Sequence, residues 1–448
     1  MIEGLKPYSA IKDSGVPWLG SVPAHWEVKR LKTVFDEVDS RSESGGERLL
    51  SLRMKVGLVD HHANGGKHIP AEALVGYKRT APGDVVMNRM RASSGLFGKA
   101  VVTGLVSPDY AVLRSKTRIV PDYFVYLFQT SLMMSIFRTE SRGLGTGEAG
   151  FLRLYTERFG MLSVATPPFE EQERICRFVK YVDRVVAGYI RAKQNAMKLL
   201  AEQREAVTSS ALQSTETRNV RLAAVTDVIQ RPIDRSSYKL YTPIGLFNRG
   251  RGVFHKPPTL GAELGDSDFY RIECGDLILS GQFAWEGAVT IAGAEDGGCV
   301  ASHRYHVLRG KSNAVQSAYL LAFLRTSAGH ELLNYHSRGG AGRNRPLNLR
   351  TLLKEKIPIP AIALQEKIVD LVNQESKFGR MSLKAVQLVG EYRNRIVSEI
   401  VTGMLDVREA AARLPEQTPQ PQPLDEIENV QEDDETAEIG ELEAEDAA

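Results

Sequence analysis

The sequence predicts an α+β protein in which two duplicated globular domains are separated by two long antiparallel helices forming a coiled coil. Three observations lead there. The 448-residue chain repeats itself at a spacing of about 190 residues. Each copy opens with short β-like runs broken by turn residues. Each copy then closes in a long helical pattern with one apolar stripe.

The repeat is carried by five matches in the same order. Gly83–Met87 (GDVVM) matches Gly275–Leu279 (GDLIL), and Tyr110–Arg114 (YAVLR) matches Tyr305–Arg309 (YHVLR). Tyr123–Thr130 matches Tyr319–Thr326, Glu171–Ile175 matches Leu364–Ile368, and Leu199–Val207 matches Leu388–Ile396. A single match is weak, but five with nearly constant offset mean duplication. In each copy, runs such as GDVVMNR and GDLILSG read as strands between Gly, Pro and Asn turn signals. Helical segments are expected near 121–137 and 316–334.

From Glu170 to Leu212 there is no proline, and the stripe runs Ile175, Val179, Val182, Val186, Tyr189, Ala196, Leu200, Val207 and Ala211. The second stripe is Ile368, Val372, Val386, Val389, Ile396 and Ile400. Steps of three and four place these residues on one face of a helix. About 42 residues make roughly 60 Å of helix, and such a helix needs an equally long partner. The antiparallel pairing puts one globule at each end of the pair. Pro167-Pro168, and Pro358 with Pro360, mark hinges before the helices, and Gly188, Gly379 and Gly390 predict bends or close backbone contact.

Charge sharpens the functional reading. The chain holds 57 Lys and Arg against 55 Asp and Glu, but Glu416–Ala448 contains 13 acidic residues and no Lys or Arg. Residues 1–415 therefore carry 57 basic against 42 acidic groups, a net charge of +15. A basic body points to a polyanion, nucleic acid first, and the acidic tail is expected to be disordered. No apolar run is long enough to span a bilayer, the amino terminus does not read as a signal peptide, and three scattered cysteines do not make a disulfide scaffold. A cytoplasmic protein is expected.

Two unlike basic globules held at a fixed distance make a ruler for duplex DNA, each reading a separate stretch of groove. The candidate DNA-contacting residues are Arg89, Arg91 and Lys99 in the first copy, and Arg249, Arg251, Gln282, Arg343 and Arg345 in the second. They lie in Gly-rich or polar loops, where Arg and Gln can pair with base edges or Arg and Lys can hold phosphate. The segment 218–256 adds eight basic residues against two acidic ones.

Catalytic patterns are weak. Gly145–Gly150 spells G-x-G-x-x-G but lacks the strand before it and the helix behind it. Thr166–Phe169 faintly resembles the Asp/Asn-Pro-Pro-aromatic loop of amino-methyltransferases, yet Thr replaces the essential first residue. His61, His62 and His68 lack further ligands at a suitable spacing, Ser209 and Ser210 lack a base, and no P-loop is present. A non-catalytic reader is expected, and a coiled-coil adaptor that never touches DNA is the alternative.

Several motifs together resemble the specificity subunit of type I restriction–modification systems. These are Lys12–Gly20 with Val22–Leu31, Pro167–Ile175 (PPFEEQERI), and Val401–Arg408 (VTGMLDVR). The likeness spans about residues 5–410. It implies target recognition domains at 1–165 and 216–358, a central conserved helix at 166–215, a C-terminal conserved helix at 359–410, and a disordered acidic tail at 411–448. It implies a bipartite, asymmetric DNA target, two methyltransferase subunits and restriction/translocase subunits as partners. S-adenosylmethionine, ATP and Mg2+ would belong to those partners, with none on this chain. Gln172, Ile175, Val182, Val186, Leu200, Gln365, Ile368, Val389 and Ile396 would lie on the partner and spacer helices. The sequence departs from the family's pattern at Ile357–Gln365, and the first helix ends Val207–Gln213 without the frequent Val-Thr-Gly.

Overall fold

The computed structural model describes residues 5–54, 56–63, 66–144, 151–339 and 345–414. The acidic segment 416–448 and the Gly145–Gly150 run lie outside these residues. The described residues are α+β and divide into two units, 5–189 with 387–414 and 190–386. Among the described residues no helix is long and apolar enough to cross a membrane.

In the first unit, β1 (Glu27–Arg30) leads to β2 (Phe35–Glu37), β3 (Val85–Asn88), β4 (Phe97–Lys99) and β5 (Tyr110–Ser115). The last four form an antiparallel sheet in the order β2-β5-β3-β4. Leu113 stands opposite Glu37, and Val112 opposite Val86. The stretches Val85–Met87 and Ala111–Leu113 at the centre of the sheet are apolar without a break because both of its faces are covered there. Val85, Met87, Ala111 and Leu113 join a core with α1 (Pro121–Phe128) and α2 (Ser131–Glu140), while Val86 and Val112 join Leu50, Leu52 and Leu58 in another. The repeated Gly-Asp motif has a physical role. The Asp84 carboxylate is buried, accepts from Arg114 at 2.8 and 2.7 Å, and accepts from the Ala81 N–H at 2.7 Å. Thr130 caps α2 by accepting from the Met133 N–H. Then β6 (Ser163–Thr166) pairs with β1, Val28 opposite Ala165, and Pro167-Pro168 precede α3 (Phe169–Leu212).

The second unit repeats this plan. Its strands are β7 (Arg218–Arg221), β8 (Thr226–Val228), β9 (Ile244–Phe247), β10 (Gly252–His255), β11 (Leu277–Ser280), β12 (Val289–Ile291) and β13 (Tyr305–Gly310). The four-stranded sheet runs β8-β13-β11-β12, the counterpart of the first. Leu277, Leu279 and Leu308 face α4 (Ser317–Leu324) and α5 (Ser327–His336), whereas Ile278 and Val307 face the other side. Asp276 takes the part of Asp84, bound by Arg309 at 2.7 Å and by Arg231 at 2.7 Å. Thr326 caps α5, and β14 (Lys356–Ile359) pairs with β7 before α6 (Ile362–Val401).

Helix α3 has 44 residues and α6 has 40, or about 66 and 60 Å at 1.5 Å per residue. The boundary between the units falls inside both. Within the first unit, Ile175, Val179 and Val182 share a core with Ile396, Ile400 and Val401, and Asp183 pairs with Arg393 at 2.8 Å. Within the second, Ala211 shares a core with Ile368 and Val372, and Arg204 pairs with Glu375 at 2.8 Å. In each unit, then, the helix segments pack antiparallel. Of the three helix glycines only Gly379 marks a close approach, with Met197 3.5 Å from where a Cβ would stand. A Cβ at Gly188 or Gly390 would meet open space, so of the two expectations, a bend or a close contact, the second does not apply there.

The helix stripes differ from expectation at two points. Tyr189 is 37% exposed, and the chain is still folded at residue 411. A short α7 (Arg408–Ala412) follows α6, and Ala410 and Ala411 are buried in the first unit's core. Burial of these two apolar residues outweighs the charges beside them.

Candidate nucleic-acid interface

Each central sheet ends in the same loop. After β3, the Asn88 carboxamide accepts from the N–H groups of Met90 (2.9 Å) and Arg91 (3.2 Å), and one turn of 3-10 helix ends at Gly95 with φ of 75°. After β11, Ser280 Oγ accepts from the N–H groups of Gln282 (3.3 Å) and Phe283 (3.1 Å), and a similar turn ends at Gly287 with φ of 78°. Side-chain acceptors make both turns, and glycine supplies the left-handed residue that closes each.

The three first-copy candidates part company here. Arg91 is exposed. Arg89 turns inward, its side chain 13 % exposed, and is held by Glu37, by Thr156 Oγ1 at 3.3 Å and by the Asp109 carbonyl at 3.4 Å. Burial raises the affinity of Glu37 for a proton, but Lys78 and Arg89 outweigh it and hold the carboxyl below its usual range. Lys99 pairs with Asp122 at 2.7 Å, and Asp122 also binds Lys180 of α3 at 2.8 Å. Arg89 and Lys99 therefore work inside the domain, because carboxylates distant in sequence fold beside them. Of the three, Arg91 is the outward-facing member.

In the second unit the candidates gather around aromatic rings. The exposed Arg251 lies over Phe247 at 5.2 Å, and Phe247 lies 4.8 Å from Phe254. Arg345 lies over Trp285 at 4.3 Å and donates to Asn334 Oδ1 at 3.4 Å. Gln282 is half-buried beside Trp285's turn. The side chain of Arg249, and Arg343 altogether, lie outside the described residues. A cleft of about 500 Å³ opens beside this group, lined by Glu331, Asn334, Tyr335, Ser337, Arg338 and Arg345. Arg338 lies over the exposed Tyr335 ring at 4.1 Å. Guanidinium–aromatic pairs of this kind hold a cation flat and pre-oriented toward a nucleic acid. The Tyr335–Arg338 pair was missed in the sequence, although an i, i+3 spacing on a helical pattern is its available signal.

Part of the basic surplus is consumed internally. Of the eight cations in 218–256, Arg231 is bound to Asp276 and Glu273, and Arg235 donates to the carbonyls of Gly261 and Gly265.

The helix candidates face inward. Ile175, Val182, Ile368 and Ile396 are core residues, while Val186, Leu200 and Val389 are half-buried. Gln172 and Gln365 are buried latches. Gln172 accepts from the Val120 N–H at 2.8 Å and donates to the Pro167 carbonyl at 2.9 Å. Gln365 accepts from the Gln316 N–H at 3.0 Å and donates to the carbonyls of Pro360 (2.9 Å) and Ala314 (3.2 Å). Both tie the first turn of a long helix to the segment leading into α1 or α4. They are thus unavailable to another subunit. Val185, Leu199, Met381, Leu383 and Leu388 are among the large apolar residues of the long helices that stand exposed.

Among the described residues no three His, Cys, Asp or Glu side chains are grouped to hold a metal ion. His61 and His62 sit on a turn, with His61 Nδ1 2.7 Å from Ser51 Oγ. Thr166 is buried at the end of β6, and Phe169 lies under Arg118 at 4.0 Å.

Comparison with known proteins agrees with the resemblance carried by the motifs. Residues 238–378 match the family model described as the type I restriction modification DNA specificity domain. A solved chain from a structure of complex assembly and conformational transition of the type I R-M system superposes with a TM-score of 0.55 at 16% identity, covering 85% of this chain and 98% of that one. The HsdS subunit from Thermoanaerobacter tengcongensis (TM-score 0.43, 16% identity, 85% and 98% covered) is also similar. So is the type I restriction-modification S subunit from M. genitalium (TM-score 0.43, 12% identity, 84% and 96% covered). No curated protein matches the sequence.

Proposed function

Taking residues 238–378 as a type I restriction–modification DNA specificity domain, we propose that the whole chain is the DNA-reading specificity subunit of such a complex. The two units act as duplicated target recognition domains and read the two halves of a bipartite, asymmetric sequence. The antiparallel helices act as a coiled-coil spacer that fixes the gap. The chain carries no chemistry of its own. Two methyltransferase subunits dock on it and supply adenine methylation with S-adenosylmethionine. Restriction/translocase subunits add the steps that use ATP and Mg2+.

The observation that carries this reading is one scaffold used twice with unlike loops. Both units share the strand order, a buried Asp bound by an Arg of the neighbouring strand, the Thr cap and the Gln latch. At the sheet-end turn, however, the first unit presents Arg91 and the second presents Gln282 with Trp285 and Arg345 nearby. A common frame with different side chains at one place is what reading two different half-sites requires.

Selection from a randomised duplex pool with the assembled complex tests the proposal. Two short enriched blocks at a constant gap are expected. A pool that emerges without enrichment supports the adaptor alternative and removes the DNA-reading function.

A further inference from the structure

The second unit contains a buried charge cluster of three residues, whereas at the matching place in the first unit Arg393 pairs with Asp183 in a partly exposed contact. Arg204 of α3 donates to Glu375 of α6 at 2.8 Å, and both side chains are buried. Arg325, the residue that ends α4, joins them from the other side, 3.5 Å from the second Glu375 oxygen. The same guanidinium donates through Nη2 to the carbonyl oxygen of Gly250. One planar, forked cation thus links a long helix to a loop.

That loop, Asn248–Arg251, joins β9 to β10 and holds two of the cations named as DNA contacts. It is pinned at three further points. Asn248 Nδ2 donates to Glu286 at 2.6 Å, the Gly250 N–H donates to the Gly287 carbonyl at 2.8 Å, and Arg251 lies over Phe247. Glu286 and Gly287 belong to the turn that carries Gln282 and Trp285. The two loops therefore form one piece, and Arg325 is its attachment to the helices. Gly250 has φ of 68°, and a Cβ there would lie 2.6 Å from Arg325 Nε, so the position needs glycine both for its backbone and for the cation's approach. In the repeat Arg325 aligns with Gln129, which donates to the Phe97 carbonyl at 3.4 Å instead.

We infer that Arg325 is a positioning residue for half-site discrimination: held by Glu375, it fixes the Asn248–Arg251 loop and the adjoining Gln282 turn in the geometry that reads DNA. The inference rests on the DNA-reading function proposed above. Burial has a cost for such a cation, which lowers the Arg325 pKa to about 10. A cluster retained against that cost is well suited to specifying one arrangement.

The test is Arg325→Met, which leaves the Arg204–Glu375 pair intact while removing the tether to Gly250. The wild-type and variant chains, each in the assembled complex, are put through the randomised-duplex selection, with melting curves recorded in parallel. One of the two enriched blocks should lose its preference by roughly tenfold at one or two positions, while the other block and the gap stay unchanged. Arg325→Lys keeps the charge but not the fork, and should recover only part of the loss. Unchanged preference at both blocks in a folded, assembled variant overturns the inference. So does an equal loss at both. If Arg325→Met does not assemble, Gly250→Ala decides: it disturbs the loop without touching the buried carboxylate, and must weaken the same single block. Absence of enrichment with the wild-type complex would instead defeat the DNA-reading function itself.

Discussion

Replacing Gln172 by Met keeps the volume of the side chain and removes both of its polar contacts. The Val120 N–H loses its acceptor at 2.8 Å and the Pro167 carbonyl its donor at 2.9 Å. Gln172 is only 2% exposed, so water does not readily replace them. An orphaned buried polar group costs about 1–3 kcal/mol, and two place the loss at about 2–6 kcal/mol. Gln365→Met orphans the Gln316 N–H and the carbonyls of Pro360 and Ala314, and should cost at least as much. Gln172→Glu separates the two halves of the contact. A carboxylate still accepts from Val120 but repels the Pro167 carbonyl, so this variant should recover stability as pH falls and the new carboxyl becomes a donor. Urea denaturation followed by circular dichroism at pH 7 and pH 5 measures all three. A loss below about 0.5 kcal/mol for Gln172→Met, or a Glu variant indifferent to pH, would refute the latch.

Other outcomes follow from the same geometry. Inserting four residues in register into each of α3 and α6 lengthens each by about 6 Å, and the gap between enriched blocks should grow by one or two base pairs; an unchanged gap would show that the helices do not set it. Arg89→Met should destabilise the chain by about 1–3 kcal/mol through the loss of its Glu37 contact, whereas Arg91→Ala should leave the melting temperature alone and weaken DNA binding. The reverse pattern in paired melting and filter-binding measurements would contradict the inward and outward placement of these side chains. Burial pushes the Asp122 pKa up, but Lys180 and Lys99 outweigh it and bring it below the usual 3.8. Its folded-state pKa is depressed, so the stability it contributes is present above the unfolded value and is lost as pH falls through the folded one. Asp122→Asn should therefore flatten the acid limb of a stability–pH profile below about pH 4, and an unaltered limb would count against the ion pairs.

Much of the architecture was legible because duplication and periodicity are local patterns. The matched GDVVM and GDLIL runs proved to be central strands, and the proline-free stripes proved to be α3 and α6. Even the Gly-Asp and Leu-Arg matches held hidden information, since the buried Asp84 pairs with Arg114 and the buried Asp276 with Arg309. The site was harder to read because its facts are long-range. Nothing near Arg89 announces that Glu37 will stand beside it, and nothing near Gln172 points to Val120. A loop cation and an internal ion-pair cation look alike until the fold supplies the carboxylate. Arg325 was unremarked for the same reason: its partners Glu375 and Gly250 are 50 and 75 residues away.

The split of both long helices between the units also bears on how the chain is made. The first unit needs residues 387–401 to cover Ile175, Val179 and Val182, so it cannot be finished when its own 189 amino-terminal residues have left the ribosome. The second unit is nested within it and must be synthesised in the meantime. A nascent or prematurely terminated chain thus exposes an apolar strip on α3 until the final helix arrives. Premature termination anywhere before about residue 400 would condemn the first unit as well as the second, giving proteases and chaperones a clear mark by which to sort incomplete chains from finished ones.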